Sequence, residues 1–218
     1  MDADFWLERW EMGQTRFNQA APNRLLTETW PRLALRPGCV VFVPLCGKSV
    51  DMVWLAERGH SVIGVELSEI AVTEFFAENG LVPDVREDGR SKVFTAGDYQ
   101  LWCGDIFDMA ADALTAVEAV YDRASLVALP PALRRRYATH LAAILPSAVT
   151  ALVVAFEYDQ AEMGGPPFAV TREQIADLFA GFDLRPLADD DGLDPNGDLA
   201  ARGLTRLRET AVELRREG

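Results

Sequence analysis

Two hydrophobic periods alternate along the first half of this chain. Cys39-Val40-Val41-Phe42-Val43 is apolar at every position, entered through Pro37-Gly38 and ended by Pro44. A short run that is apolar on both faces predicts a buried strand of a parallel sheet. The period then changes. Between Ser49 and Arg58, Val50, Val53 and Trp54 recur at i, i+3, i+4, one face of a helix, and Gly59 stands where such a helix ends. Ser61-Val62-Ile63-Gly64-Val65-Glu66 predicts a second strand. Ser68 follows as the N-cap of a helix through Ile70, Phe75 and Phe76 that stops at Asn79-Gly80. Strand, helix, strand, helix over residues 39–79 is the pattern of a parallel sheet with right-handed crossovers.

Further strands are expected at residues 99–103, 119–122 and 151–157, with a helix over 131–145 that carries Pro131 in its first turn. Thr171 and Gln174 form a capping box, opening a helix with Ile175, Leu178 and Phe179 on one face. Residues 189–198 hold five Asp, two Gly and one Pro, the composition of a solvated loop. Residues 200–217 fit a strand or a helix equally well. At the other end, Phe5, Trp6 and Trp10 mark a short amphipathic segment with a covering role. No internal repeat or low-complexity tract is present, so the pattern predicts one doubly wound α/β domain.

Composition narrows the function. A chain of 218 residues with 49% hydrophobic and 25% charged residues can bury a core, which excludes general disorder. A net charge of −13 argues against nucleic acid and against an anionic membrane surface as partners. Cys39, Cys46 and Cys103 are odd in number and form no C-x-x-C, as expected of a reduced cytoplasmic protein. With only His60 and His140 in the chain, neither a metal site nor a Ser-His-Asp or Cys-His hydrolase is expected. The start, Met1-Asp2-Ala3-Asp4, is acidic where a signal peptide would be basic. No apolar run approaches the roughly 20 residues that span a bilayer.

Ligands of an open parallel sheet bind at the carboxyl ends of its strands, where the strand order reverses. The loop after the first strand is Pro44-Leu45-Cys46-Gly47-Lys48-Ser49, and two readings compete for it. Gly47-Lys48-Ser49 matches the end of a P-loop and would suit a nucleoside-triphosphate enzyme. The leading glycine of that motif is replaced by Phe42, however, and Pro44 removes another N–H donor. The second reading is a Rossmann-like loop for a ligand without phosphates. Glu66 ends the next strand 19 residues after Gly47, where such folds place the carboxylate that accepts from ribose hydroxyls. S-adenosylmethionine has the ribose and lacks the pyrophosphate. Asp105 and Ile106 follow the third strand end, suited to an adenine amine and ring, and Arg123 brings a guanidinium to the fourth. As isolated features, Glu66, Asp105 and Arg123 are equally compatible with solvated strand-end groups or surface ion pairs.

Taken together, the motifs resemble the bacterial branch of the thiopurine S-methyltransferase family. The likeness rests on Trp6-Leu7-Glu8-Arg9-Trp10, on Phe42-Val43-Pro44-Leu45-Cys46-Gly47-Lys48-Ser49-Val50-Asp51-Met52, and on Gly64-Val65-Glu66-Leu67-Ser68-Glu69. Gly104-Asp105-Ile106-Phe107, Tyr121-Asp122-Arg123-Ala124-Ser125-Leu126, Glu157-Tyr158-Asp159 and Gly165-Pro166-Pro167-Phe168 follow in order, over about residues 5–180. The resemblance implies a Rossmann-like class I methyltransferase fold, a mostly parallel seven-stranded sheet flanked by helices, in a single domain over 1–218 with an N-terminal helical lid at about 1–35. It implies S-adenosyl-L-methionine as donor, S-adenosyl-L-homocysteine as product, and cofactor contacts from Trp10, Leu45, Glu66 and Arg123, with Asp105 and Ile106 near the adenine. Arg123 is also the candidate for an electrostatic catalytic role. The implied acceptor is a small thiol, a thiopurine or another aromatic or heterocyclic thiol, with selenium or tellurium compounds as the alternative; separately, the fold and size suit a monomer, and the cysteine usage and acidic start a cytoplasmic one. Two departures stand out: Phe17-Asn18-Gln19 replaces the family's Phe-His-Gln, and the acidic tail from Asp189 matches poorly.

Overall fold

In the computed structural model, residues 3–218 are described, so Met1 and Asp2 of the acidic start lie outside the described residues. The first half runs α1 (Ala3–Glu11), α2 (Arg24–Thr29), a 3-10 turn at Trp30–Leu33, β1 (Val40–Pro44), α3 (Val50–Ala56), β2 (Ser61–Glu66) and α4 (Glu69–Glu78). It continues with β3 (Asp84–Asp88), β4 (Ser91–Ala96), β5 (Tyr99–Cys103), two 3-10 turns at Ile106–Asp108 and Ala111–Leu114, and β6 (Val117–Arg123). The remainder is α5 (Ser125–Ala128), α6 (Pro131–Ile144), β7 (Val149–Glu157), α7 (Arg172–Leu178), β8 (Asp183–Asp191), α8 (Asp198–Ala201) and β9 (Arg208–Arg216). The chain packs as two compact units: the residues up to Asn23 with Leu35–Tyr121, and Arg24–Ala34 with Asp122–Gly218.

In the first unit the strands lie in the order β3-β4-β5-β2-β1-β6. β1 is parallel to both β2 and β6, and β2 is parallel to β5. Val41, Phe42, Val62 and Val65 are all buried, which is why these strands read as apolar on both faces. Ser49 caps α3 and Ser68 caps α4, each through its hydroxyl. Phe75 and Phe76 of α4 meet Tyr99 and Phe94 of the sheet, at ring separations of 5.0 and 6.4 Å. The chain leaves β1 for β2 on one side and returns to β6 on the other. That reversal opens a crevice beyond the carboxyl ends of the central strands.

In the second unit β7 and β8 both pair antiparallel with β9. Leu152, Val153, Val154, Ala211, Val212 and Leu214 form its buried seam. Thr171 and Gln174 make the expected capping box on α7.

The described residues contain nine strands where seven were expected. The added pair is the β3–β4 hairpin, turned by Gly89 at φ +59°. Residues 189–198 are not wholly a loop, because Asp189, Asp190 and Asp191 complete β8 opposite Thr210, Glu209 and Arg208. Arg172 pairs with Asp189 and Arg24 with Asp190, which compensates the acidic run. The open choice at residues 200–217 resolves into one helical turn and then β9. Cys39, Cys46 and Cys103 are free thiols. Among the described residues, no helix is long and apolar enough to cross a membrane.

Candidate functional site

Parallel pairing puts Pro44 opposite Val65 and Glu66 opposite Cys103, so the ends of β1, β2 and β5 lie level. Backbone hydrogen bonds join the three loops that leave them. Cys46 N–H donates to Val65 O at 3.0 Å, and Gly104 N–H donates to Glu66 O at 2.9 Å. Leu45 sits at φ +48° and Gly47 at φ +53°, a tight reversal that turns the backbone N–H of Gly47 toward β2. That N–H donates to Glu66 Oε2 at 2.9 Å, while Ser68 N–H donates to Oε1 at 2.8 Å.

Glu66 is therefore not a solvated strand-end group; its side chain is buried, and desolvation raises its pKa against the opposing pull of those N–H donors. A carboxylate offers about four acceptor positions, and the N–H groups of Gly47 and Ser68, with that of Leu67 beside them, do not fill them all. What is left suits a ribose hydroxyl. Trp10 is buried too and lies against Gly47: a Cβ there would stand 3.4 Å from its ring and 3.5 Å from Asn18 Oδ1. Trp10, Leu45 and Glu66 are thus brought together around one glycine. Asp105 and Ile106 continue from Gly104. Ile106 is buried, and Asp105 is exposed, with Oδ1 accepting from Phe107 N–H at 2.9 Å as the cap of the short turn that follows. Arg123 is the last residue of β6 and belongs to the second unit. Its Nε is buried without a hydrogen-bond partner.

The P-loop reading fails on the same geometry. The Gly47 N–H faces a carboxylate, and a phosphate placed there would meet like charge. Lys48 reaches Glu74 at 2.8 Å and Glu78 at 2.5 Å instead of the loop. Ser49 spends its hydroxyl on Asp51 N–H.

Sequence reasoning missed three participants. Asn18 was noted only as a departure, yet its side chain lies over Gly47 and its Nδ2 is buried without a partner. Asp51 stands two residues into the segment after the glycine loop, where local sequence assigns it no role. Its buried carboxylate accepts from Asn23 N–H at 2.7 Å and from the Tyr121 hydroxyl at 2.9 Å, anchoring the end of the N-terminal segment to α3. Gly64 is required by close packing, since a Cβ would come within 2.6 Å of Leu101 and 2.8 Å of Cys46 Sγ. Only the last left a signal in the sequence, a glycine inside a strand.

The site fits a ribose-bearing ligand without phosphates. Its buried strand-end carboxylate keeps acceptor capacity, the Gly47 N–H is spent on that carboxylate instead of being free for a phosphate, and Asn18 holds an unspent donor.

Comparison with solved structures gives the fold. A S-adenosylmethionine-dependent methyltransferase from Anabaena variabilis superposes with a TM-score of 0.68 at 15% identity, covering 99% of this chain and 95% of that one. The magnesium protoporphyrin IX methyltransferase of Synechocystis, solved with S-adenosylhomocysteine bound, gives 0.66 at 14% identity, covering 99% and 100%. This is the class I methyltransferase fold. A curated relative from Bordetella petrii, named thiopurine S-methyltransferase, is 50% identical over the full length of both chains. The sequence profile described as Thiopurine S-methyltransferase (TPMT) matches residues 1–217. With that match running over nearly the whole chain, the chain belongs to the thiopurine S-methyltransferase family.

Proposed function

We propose that this protein is a S-adenosylmethionine-dependent S-methyltransferase acting on thiopurines and related aromatic or heterocyclic thiols. The observation that carries the donor half is Glu66: a buried carboxylate at the end of β2, held by Gly47 and Ser68 N–H groups, with acceptor capacity left over. The acceptor half rests on the family and on relatives such as the Bordetella petrii chain, of the same name and length.

In this reading Glu66 accepts from the ribose hydroxyls, the Leu45–Gly47 reversal lies along the donor, and Asp105 and Ile106 take the adenine. Trp10 and its helix form the inner face of an N-terminal lid that excludes water. S-adenosylmethionine supplies a methyl group on a sulfonium, with a neutral thioether as leaving group. The acceptor's thiolate sulfur forms the new bond to the methyl carbon as the sulfonium bond breaks, and the thiol proton goes to solvent. Aromatic thiols ionise near neutral pH, so alignment and water exclusion are the protein's main tasks. A general base is not needed, consistent with His60 being buried against Cys39, its ring Nδ1 3.2 Å from Sγ, at the far end of the sheet from Glu66. Arg123, with its unspent Nε, favours the thiolate electrostatically. The acidic composition, free thiols and single-domain length support a cytoplasmic monomer.

Calorimetric titration with S-adenosylmethionine and S-adenosylhomocysteine, with magnesium-ATP as control, tests the donor half. The expected result is binding of the first two ligands, lost in Glu66→Ala, and methylation of 6-mercaptopurine on addition of the donor. Binding of ATP in their place would overturn the reading.

A further inference from the structure

Asn18 is held in place by elements on both sides of it. Its N–H donates to Thr15 O at 2.9 Å. The preceding Phe17 ring stands edge-on to Trp6 at 5.8 Å and to Trp10 at 5.6 Å. The side-chain amide that results lies with Oδ1 against Gly47, while Nδ2 is buried and makes no hydrogen bond. A buried amide N–H without an acceptor is costly, so proteins rarely leave one unless something else completes it. Here the orphan donor adjoins the glycine whose own N–H holds Glu66.

The chemistry of a bound donor selects the missing acceptor. This step rests on the S-adenosylmethionine reading above. The ribose hydroxyls have Glu66 as their acceptor. The adenine lies toward Asp105 and Ile106, and the ammonium group of the amino-acid portion can only donate. The α-carboxylate is the remaining strong acceptor, and an amide N–H meeting a carboxylate makes a charge-assisted bond. We propose that Asn18 is a cofactor-recognition residue whose side-chain amide donates to the α-carboxylate of the bound methyl donor.

Two ligands separate this role from general packing. S-adenosylhomocysteine carries the α-carboxylate, and 5′-deoxy-5′-methylthioadenosine has the same adenosine thioether without the amino-acid portion. Calorimetry with the full-length protein should show Asn18→Ala weakening S-adenosylhomocysteine by roughly ten- to a hundredfold. Asn18→Asp, nearly isosteric but acceptor-only and charged, should weaken it further, and both variants should bind methylthioadenosine as the wild type does. Asn18→His, which retains an N–H donor, should recover much of the loss. Equal losses for the two ligands, or unchanged S-adenosylhomocysteine affinity in the alanine and aspartate variants, would overturn the assignment. Thermal unfolding of each variant checks that it folds, and the aspartate variant decides if the alanine one does not. A wild-type protein that binds neither nucleoside would instead refute the donor reading, and this inference with it.

Discussion

Replacing Glu66 by Gln should separate what this residue does for binding from what it does for stability. In the folded chain its carboxylate accepts two backbone N–H groups, at 2.9 and 2.8 Å, and burial raises its pKa. Glutamine keeps the volume and one carbonyl acceptor, but its NH2 end faces one of those N–H groups and orphans it, at a cost of about 1–3 kcal/mol. Against this the variant removes a desolvated charge, an opposing effect of similar size. The net change near neutral pH should be within about 1 kcal/mol, or a few degrees in Tm for a chain of this length. The pH dependence gives the sign. A group whose folded pKa is raised contributes fully below its unfolded value and loses that contribution as pH rises through the folded value. The wild type therefore loses stability over a pH range in which Glu66→Gln does not, and the Tm of the variant relative to wild type should rise from acid to neutral pH. Binding should behave quite differently. Exchanging charge-assisted contacts with the ribose diol for one neutral contact costs about 2–3 kcal/mol, or roughly thirty- to a hundred-and-fiftyfold in Kd for S-adenosylhomocysteine. Calorimetry and thermal unfolding across pH 5–8 measure both quantities. Undiminished affinity, or a Tm difference that falls as pH rises, would refute the reasoning.

Asp122 tests the same linkage in the second unit: burial pushes its carboxyl from 3.8 up to about 6, against the pull of the Tyr137 hydroxyl at 2.6 Å. Wild-type stability should fall by about 2 kcal/mol between pH 4 and 7 on its account, and Asp122→Asn should flatten that slope in pH-resolved denaturant melts; an unchanged slope would show the burial effect to be absent. Gly64→Ala drives a methyl to 2.6 Å from Leu101 and 2.8 Å from Cys46 Sγ, so it should lower stability by about 1–3 kcal/mol in thermal unfolding; an unaltered Tm would mean the sheet and loop can yield there. Arg123→Ala should reduce kcat/KM for a thiol acceptor by about 2 kcal/mol, close to thirtyfold, and an unchanged value would remove its electrostatic role.

How much of the fold was legible depended on whether a strand buries an apolar face. β1, β2 and β5 did, and their apolar runs placed them to within a residue or two. β3 has no buried residue, so no period could reveal it, and β4 buries only the adjacent pair Val93 and Phe94 of its apolar residues, too short a run to stand out beside the Asp88-Gly89 turn. β8 was hidden for another reason. Pro186 and a register shift between Pro186 and Ala188 break its alternation, and its last residues are aspartates held by arginines of distant elements. Those pairings are tertiary facts that local composition cannot carry.

The site was legible in a similarly uneven way, and Gly47-Lys48-Ser49 shows why. Spacing alone pointed to Glu66, because the distance from a loop glycine to the next strand end is fixed by one helix and one strand. The same three residues also suggested a phosphate loop, and what decides between the two is the acceptor that the loop's N–H faces. Here Gly47 serves a carboxylate, Lys48 is drawn to Glu74 and Glu78 of α4, and Ser49 caps α3. Each motif residue is thus committed to something other than a phosphate. Trp10 and Asn18 complete the picture from α1 and the turn beyond it, far from Gly47 along the chain, and no local pattern links them to it. Glycine is required at position 47 by its positive φ, whereas a Cβ there would only touch the Trp10 ring and Asn18 Oδ1 at ordinary contact distances of 3.4 and 3.5 Å. The element that invites a phosphate reading in the sequence is, in the folded chain, the floor of the site built around Glu66.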